Sequence, residues 1–318
     1  MTAIPRLIFF DGLPGSGKTT TTQQFWLHLE ALGYPARWWF EHQLGHPVFD
    51  YEALREARQA GREPLRDMLG AAHERWAALV RQIEVGRETT LIESTLGQTT
   101  VGTQLLADES RDEILAHFDR TAEIIAPLDP VLIQLHQPDV AAALYSIGAR
   151  RGAWFAEYLQ GEFAGSARGQ RLGRSDLAAV VEYFQERQAL SAEAFARFPG
   201  RKLVYDNSDC DWARQGRAIA DFLGLPPPTP PACPANAPEY VGRYRAESGD
   251  EWLVEADAAG LHLAGDSPAR LLPHGRDRFV IQSLCVETVF ERGATGGAVV
   301  AIACEANLPG MPTRWERV

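Results

Sequence analysis

The sequence predicts a three-layer α/β/α fold with a five-stranded parallel sheet, followed by a small antiparallel β domain. Three observations predict it. Five short apolar runs alternate with longer amphipathic stretches, a proline-rich stretch comes next, and closely spaced short strands fill the rest of the chain. A chain of 318 residues is long enough for two domains. We therefore expect domains at 1–224 and 239–318, joined by a linker at 225–238.

The five apolar runs indicate a parallel sheet. They lie at 6–10, 36–41, 89–94, 131–136 and 202–206, and their apolar residues are continuous, as in strands covered by helices on both faces. Amphipathic patterns predict helices at 18–32, 64–85, 110–126, 139–164, 175–197 and 211–223. Repeated strand–helix alternation favours right-handed crossovers, and therefore parallel strands between two helical layers.

The linker and the C-terminal segment differ in texture from the first 224 residues. Prolines at 226, 227, 228, 230, 231, 234 and 238 favour an extended spacer. From Glu239 onward, short apolar runs are separated by turn pairs such as Gly249-Asp250, Gly265-Asp266 and Gly296-Gly297. This spacing predicts a small antiparallel sheet or barrel. Its side chains suggest no catalysis, and three roles stay open: capping a site, a dimer contact, or binding another molecule.

Composition excludes several classes of protein. The chain has 31 basic and 42 acidic residues, and its net charge of −11 argues against a general nucleic-acid or anionic-membrane binder. No apolar run approaches the roughly 20 residues of a membrane-spanning helix, and the run at 7–10 is too short for a signal peptide. The four cysteines lie far apart and suggest neither zinc nor disulfides. We expect a cytoplasmic protein, and a homodimer stays open.

The strongest motif is FFDGLPGSGKTT at 9–20. Gly12, four further residues and then Gly17-Lys18-Thr19 match the Walker A pattern between a strand and a helix. Glycines let backbone N–H groups surround phosphate oxygens, Lys18 would reach the β- and γ-phosphates, and the Thr19 hydroxyl would hold Mg²⁺. A chance glycine-rich turn is the weaker alternative. The residues expected to bind ATP are Gly12, Leu13, Pro14, Gly15, Ser16, Gly17, Lys18, Thr19 and Thr20.

Residues 1–224 resemble P-loop kinases of the nucleoside and nucleotide kinase group, including bacterial P-loop proteins of unassigned activity. The resemblance is carried by FFDGLPGSGKTTTTQQF, WWFEHQ, LIES and VLIQLHQPDVAAALYSIGARR. It implies a P-loop NTPase fold and transfer of the ATP γ-phosphoryl group to a hydroxyl group. It leaves the acceptor open, with a nucleoside-like compound leading and an antibiotic or other metabolite as alternatives.

The resemblance also implies roles for two acids. Glu93 ends the third predicted strand, where related kinases carry Glu-Arg-Ser with the acid near Mg²⁺. Here Ser94 and Thr95 follow, so the acid is retained and the arginine is missing. Glu41 stands where those kinases place the base that accepts the substrate hydroxyl proton. The alternatives are a solvated strand-end acid at Glu93 and a surface acid at Glu41.

Two arginines complete the expected site. Arg150 and Arg151 lie near the end of the helix after the fourth strand, where the resembled kinases carry lid arginines. Such cations would spread the charge that develops on the γ-phosphate. The alternative is that they complement the negative end of the helix.

Three functions follow from this site. The first is an ATP-dependent small-molecule kinase. The second is an ATPase or GTPase switch that uses the β domain for partner binding, although no Asn/Thr-Lys-x-Asp guanine motif and no strand-ending Asp-Glu pair is found. The third is a non-catalytic nucleotide-binding module. Convergence of the loop, the two acids and the arginines favours the kinase.

Overall fold

The fold has two β structures in succession along the chain. The structure is a computed structural model that describes residues 4–229, 232–265, 268–294, 296–305, 307–308 and 310–318. Pro230 and Pro231 of the predicted linker, and Asp266 of a predicted turn, lie outside the described residues.

The first β structure is a five-stranded parallel sheet with the order β2-β3-β1-β4-β5. All five strands predicted from the apolar runs are confirmed. The bounds are Leu7–Gly12 for β1, Ala36–Trp39 for β2, Thr89–Glu93 for β3, Val131–His136 for β4 and Arg201–Asp206 for β5. The central strand β1 pairs with β3 on one side and β4 on the other. The carboxyl end of β1 therefore lies at the centre of the edge formed by the carboxyl ends of the strands.

Helices cover both faces of this sheet. They are α1 Lys18–Ala31, α2 Tyr51–Ala60, α3 Arg62–Val85, α4 Gly102–Leu106, α5 Arg111–Ile125, α6 Val140–Arg151, α7 Ala153–Ala164, α8 Ala167–Leu172, α9 Leu177–Arg197 and α10 Trp212–Leu223. A π-helical turn spans Thr95–Val101. The predicted single helix at 139–164 is wrong in one respect, because it breaks into α6 and α7 at Gly152.

The side chains of β1 explain why its apolar run is continuous. Leu7 and Phe9 pack into a core shared with α3 and α5, whereas Ile8 and Phe10 pack into a second core shared with α1 and α10. Because successive side chains on a strand point to opposite faces, a strand between two helical layers must be apolar at every position. The predicted three-layer α/β/α arrangement is therefore confirmed.

The second β structure is a closed antiparallel barrel of eight strands. Its strands are β6 Gly242–Ala246, β7 Glu251–Asp257, β8 Gly260–Ala264, β9 Ala269–Gly275, β10 Arg278–Ile281, β11 Glu287–Arg292, β12 Val299–Cys304 and β13 Arg314–Arg317. Strand β13 pairs with β6 and closes it. Large buried side chains form its core, among them Tyr244, Phe279, Phe290 and Trp315. Within the described ranges, no helix is long and apolar enough to cross a bilayer.

Candidate active site

The glycine-rich loop connects the carboxyl end of β1 to the start of α1 and fits a phosphate group. Gly12 and Gly17 have φ angles of 147° and 86°. A Cβ atom would lie 2.4 Å from the Leu135 carbonyl oxygen at Gly12, and 2.4 Å from the Trp212 ring at Gly17. Only glycine suits these positions. No side chain caps α1, so the N–H groups of its first turn remain free to bind an anion.

Within this loop, only some of the predicted residues face the open cleft. Pro14, Gly15, Gly17, Lys18, Thr19 and Thr20 line a cleft of about 530 Å³. Gly12, Leu13 and Ser16 are buried and form the back of the loop. Two side chains from the segment that follows β5 contact the loop. The Asn207 amide donates to the Ser16 carbonyl oxygen, and the Trp212 ring lies against Gly17.

Lys18 is held inside the loop. Its side chain is 6% exposed, and its Nζ donates to the Leu13 carbonyl oxygen at 2.9 Å. Burial lowers the pKa of Lys18, opposed by the nearby carboxylates of Glu41, Asp11 and Glu93. An ammonium group has three N–H donors and Lys18 uses one of them on the Leu13 carbonyl oxygen, so it can also donate to a phosphate oxygen.

Glu93 and Thr19 form an oxygen-rich corner beside this lysine. The Thr19 hydroxyl donates to Glu93 Oε1 at 2.9 Å, while the buried Glu93 Oε2 has no hydrogen-bond partner among the described residues. Burial is the main cause that raises the pKa of Glu93 to about 8. A hydroxyl and a carboxylate with a free oxygen suit Mg²⁺, which keeps several waters and takes few protein oxygens besides substrate phosphates. These residues therefore fit the metal.

Asp11 organises the next segment, and the sequence reasoning missed it. Its buried carboxylate accepts from the backbone N–H groups of Gly12 at 2.7 Å, Gly97 at 2.5 Å and Gln98 at 3.0 Å. The last two belong to the π-helical turn at 95–101. Asp11 thereby fixes this turn against β1. Such turns are frequent at functional sites, but they leave no periodic pattern in a sequence.

Residues of the π-helical turn orient Glu41. Gln98 Nε2 donates to Glu41 Oε2 at 2.7 Å, and the Thr99 hydroxyl donates to Glu41 Oε1 at 2.8 Å. Glu41 lies two residues beyond the end of β2 and lines the same cleft as Glu93 and Lys18. The carboxylate is thus oriented by two neutral donors, an arrangement in which a carboxylate can still accept a proton.

The cationic wall of the cleft comes from α6 and α9. Arg150 and Arg151 lie in the last turn of α6, and both line the cleft. Within the ranges that the structure describes, no carboxylate lies within 4.0 Å of either guanidinium group. Arg187 of α9 also lines the cleft, although its side chain is 5% exposed. In the part of the chain that the structure describes, its Nη2 has no hydrogen-bond partner, and its guanidinium lies 4.5 Å from the Phe184 ring centroid.

Arg187 was not predicted, because nothing in its local sequence separates it from the other helical arginines. Arg168 and Arg171 of α8, and Arg174 after it, form ion pairs with nearby acids. None of the three lines the cleft. No arginine follows Glu93 directly in this sequence. The buried guanidinium that lines the same cleft belongs instead to Arg187 of α9.

Comparison with known proteins gives similarity to solved structures. No family model and no curated protein matches the chain. Among solved structures, the chain is similar to the deoxyadenosine kinase from M. mycoides with bound dATP, at 15% sequence identity and a TM-score of 0.40. The match covers 68% of this chain and 98% of that one. The five-stranded parallel sheet and the glycine-rich loop after its central strand fit the P-loop fold predicted above.

Proposed function

We propose that this chain is an ATP-dependent phosphotransferase that transfers the γ-phosphoryl group to a hydroxyl group of a small metabolite. One observation carries the proposal: the glycine-rich loop shares a cleft with a carboxylate that two side chains orient. Lys18 and the Thr19–Glu93 pair lie on one side of the cleft, and Glu41 faces the same space. This combination suits the positioning and charge neutralisation that phosphoryl transfer requires.

Each residue then has a role in the reaction. The acceptor hydroxyl oxygen attacks the γ-phosphorus, the bond from that phosphorus to the β–γ bridging oxygen breaks, and ADP leaves with the electron pair. Glu41 accepts the hydroxyl proton. Lys18, Arg150 and Arg151 stabilise negative charge on the transferred group. Thr19 and Glu93 would hold Mg²⁺ or its waters, and the metal would neutralise the β- and γ-phosphates.

The walls of the cleft favour a planar acceptor such as a nucleoside. Aromatic side chains of α2 and α7 line it, namely Tyr51, Phe155 and Tyr158. The buried Gln98 Oε1 has no hydrogen-bond partner within the described ranges and can accept from an N–H group of a ligand. The volume of about 530 Å³ falls within the range of roughly 300–1,000 Å³ that is common for small-molecule sites.

A transfer assay with a mixture of acceptors tests the proposal. The protein is incubated with Mg²⁺, γ-¹⁸O-labelled ATP and a metabolite pool enriched in nucleosides, and labelled phosphate esters are sought by mass spectrometry. Lys18 and Lys202 are the two lysines of the sequence, so Lys202→Met is a matched control for Lys18→Met. We expect labelled esters with wild type and Lys202→Met, and none with Lys18→Met. Absence of any labelled ester with wild type would refute the proposal.

A further inference from the structure

The barrel contacts the start of α1 through residues 282–286 between β10 and β11, named here the barrel turn. The Ser283 hydroxyl lies 2.9 Å from the Thr20 hydroxyl in the first turn of α1. Ser283 has a φ angle of 63°, a left-handed conformation that is uncommon for residues other than glycine. The contact with α1 therefore coincides with a constrained backbone.

A single buried glutamine holds the barrel turn against α1. Gln23 Nε2 donates to the carbonyl oxygens of Ile281 at 2.8 Å and Leu284 at 3.0 Å, and Gln23 Oε1 accepts from the Ser283 N–H at 2.9 Å. Because Gln23 is fully buried, these bonds replace the water that its amide would otherwise bind. The position of the barrel turn relative to the start of α1 is therefore strongly specified.

A second barrel loop holds the segment that follows Glu41. The Leu44 N–H donates to the Asn307 carbonyl oxygen at 3.0 Å, and Asn307 Nδ2 donates to the Cys285 carbonyl oxygen at 3.2 Å. The barrel thus contacts both the hydroxyl-bearing start of α1 and the loop that carries the proposed base. Where these contacts meet, Ser283 and Leu284 form part of the cleft wall.

We infer that the barrel turn is a wall of the active site, in which Leu284 keeps water away from the end of the cleft formed by Thr19, Thr20 and Glu93. The inference rests on the proposed function. In such an enzyme, water competes with the acceptor hydroxyl group. The water oxygen attacks the γ-phosphorus, ADP leaves, and a proton of the water passes to a base, so that inorganic phosphate is formed. An apolar side chain at this wall lowers the access of water. The barrel thereby favours transfer over hydrolysis.

Hydrolysis of Mg-ATP without acceptor tests this role of Leu284. Leu284→Ala opens the wall, Leu284→Met keeps an apolar side chain of similar volume, and Leu263→Ala removes the same atoms from a barrel leucine that does not line the cleft. We expect phosphate release to rise about tenfold in Leu284→Ala, to rise less in Leu284→Met, and to stay at the wild-type rate in Leu263→Ala. A rate in Leu284→Ala within twofold of wild type would overturn the inference.

A nucleotide-free measurement separates this inference from failure of the proposed function. The amides of residues 18–20 lie in the first turn of α1, where N–H groups lack helical partners, so their hydrogen–deuterium exchange reports access of water. We expect faster exchange in Leu284→Ala than in Leu284→Met. Equal exchange contradicts the wall, whether or not the protein transfers phosphate. If Leu284→Ala exchanges faster but the wild-type protein transfers no phosphate, the wall is supported and the proposed kinase activity is refuted.

Discussion

Replacing Glu93 by glutamine should stabilise the nucleotide-free protein, and increasingly so as pH rises. Glu93 is 1% exposed, and one of its two carboxylate oxygens has no partner. Burial raises the pKa of Glu93 from 4.5 to about 8. Glutamine has the same shape, and its oxygen can still accept the Thr19 hydroxyl, but it never has to ionise. The substitution therefore isolates the cost of keeping this acid buried.

The magnitude follows from proton linkage. A group whose pKa is raised on folding contributes stability that is fully present below its unfolded pKa and is lost as pH rises through its folded pKa. For Glu93 this window runs from 4.5 to about 8. At pH 7 the difference is about 3 kcal/mol, since one pKa unit corresponds to about 1.4 kcal/mol. With a pKa of about 8, Glu93 is mainly neutral at pH 7, so its replacement by glutamine leaves the charge around Lys18 nearly unchanged at that pH.

Thermal unfolding between pH 5 and pH 8 measures this difference. At pH 7 we expect Glu93→Gln to unfold about 5 °C above wild type, with a smaller difference at pH 5 and a larger one at pH 8. Glu52→Gln, at an exposed acid paired with Arg55, serves as a matched control and should follow wild type at every pH. A Glu93→Gln difference that is independent of pH, or a variant less stable than wild type at pH 8, would refute the reasoning.

Three further substitutions probe the cleft. Glu41→Gln should lower kcat for transfer by about 10²–10⁴-fold and leave the calorimetric Kd for Mg-ATP unchanged; an unchanged kcat would exclude Glu41 as the base. Arg187→Met removes a buried cation, one nitrogen of which has no hydrogen-bond partner among the described residues. It should raise the apparent Tm and lower kcat/KM for ATP by about 100-fold. Full activity of this variant would show that Arg187 has no role in the reaction. Asp11→Ala leaves three N–H groups without their acceptor, two of them buried, and should cost about 3 kcal/mol in urea unfolding. A loss below about 1 kcal/mol would contradict its organising role.

The sheet could be predicted from the sequence because its signals are local. A strand between two helical layers is apolar throughout, as Leu7 to Phe10 are, and the loop after β1 needs glycine where a Cβ would collide with the Leu135 carbonyl or the Trp212 ring. Helix ends carry signals as well. The short helix α8 carries such signals, because Ser166 caps its start and Gly173 ends it in a left-handed conformation.

The missed features depend on contacts between residues far apart in the sequence. Asp11 acts by fixing a π-helical turn that starts 84 positions later, at Thr95, and no spacing rule links the two. Arg187 differs from other helical arginines only through its burial beside Phe184. The barrel turn meets α1 through Gln23 and Ser283, which are 260 positions apart. Neither the spacing nor the composition of the C-terminal segment indicates that contact.

The central claim is that the loop from Gly12 to Thr19 binds the triphosphate of Mg-ATP with Lys18 on its terminal phosphates. Titration calorimetry with Mg²⁺ and a non-hydrolysable ATP analogue tests it most directly. We expect one site per chain in wild type and in Lys202→Met, and an affinity at least about tenfold weaker in Lys18→Met, because a charge-assisted contact is lost. No binding heat with wild type, or equal affinity in Lys18→Met, would contradict the claim.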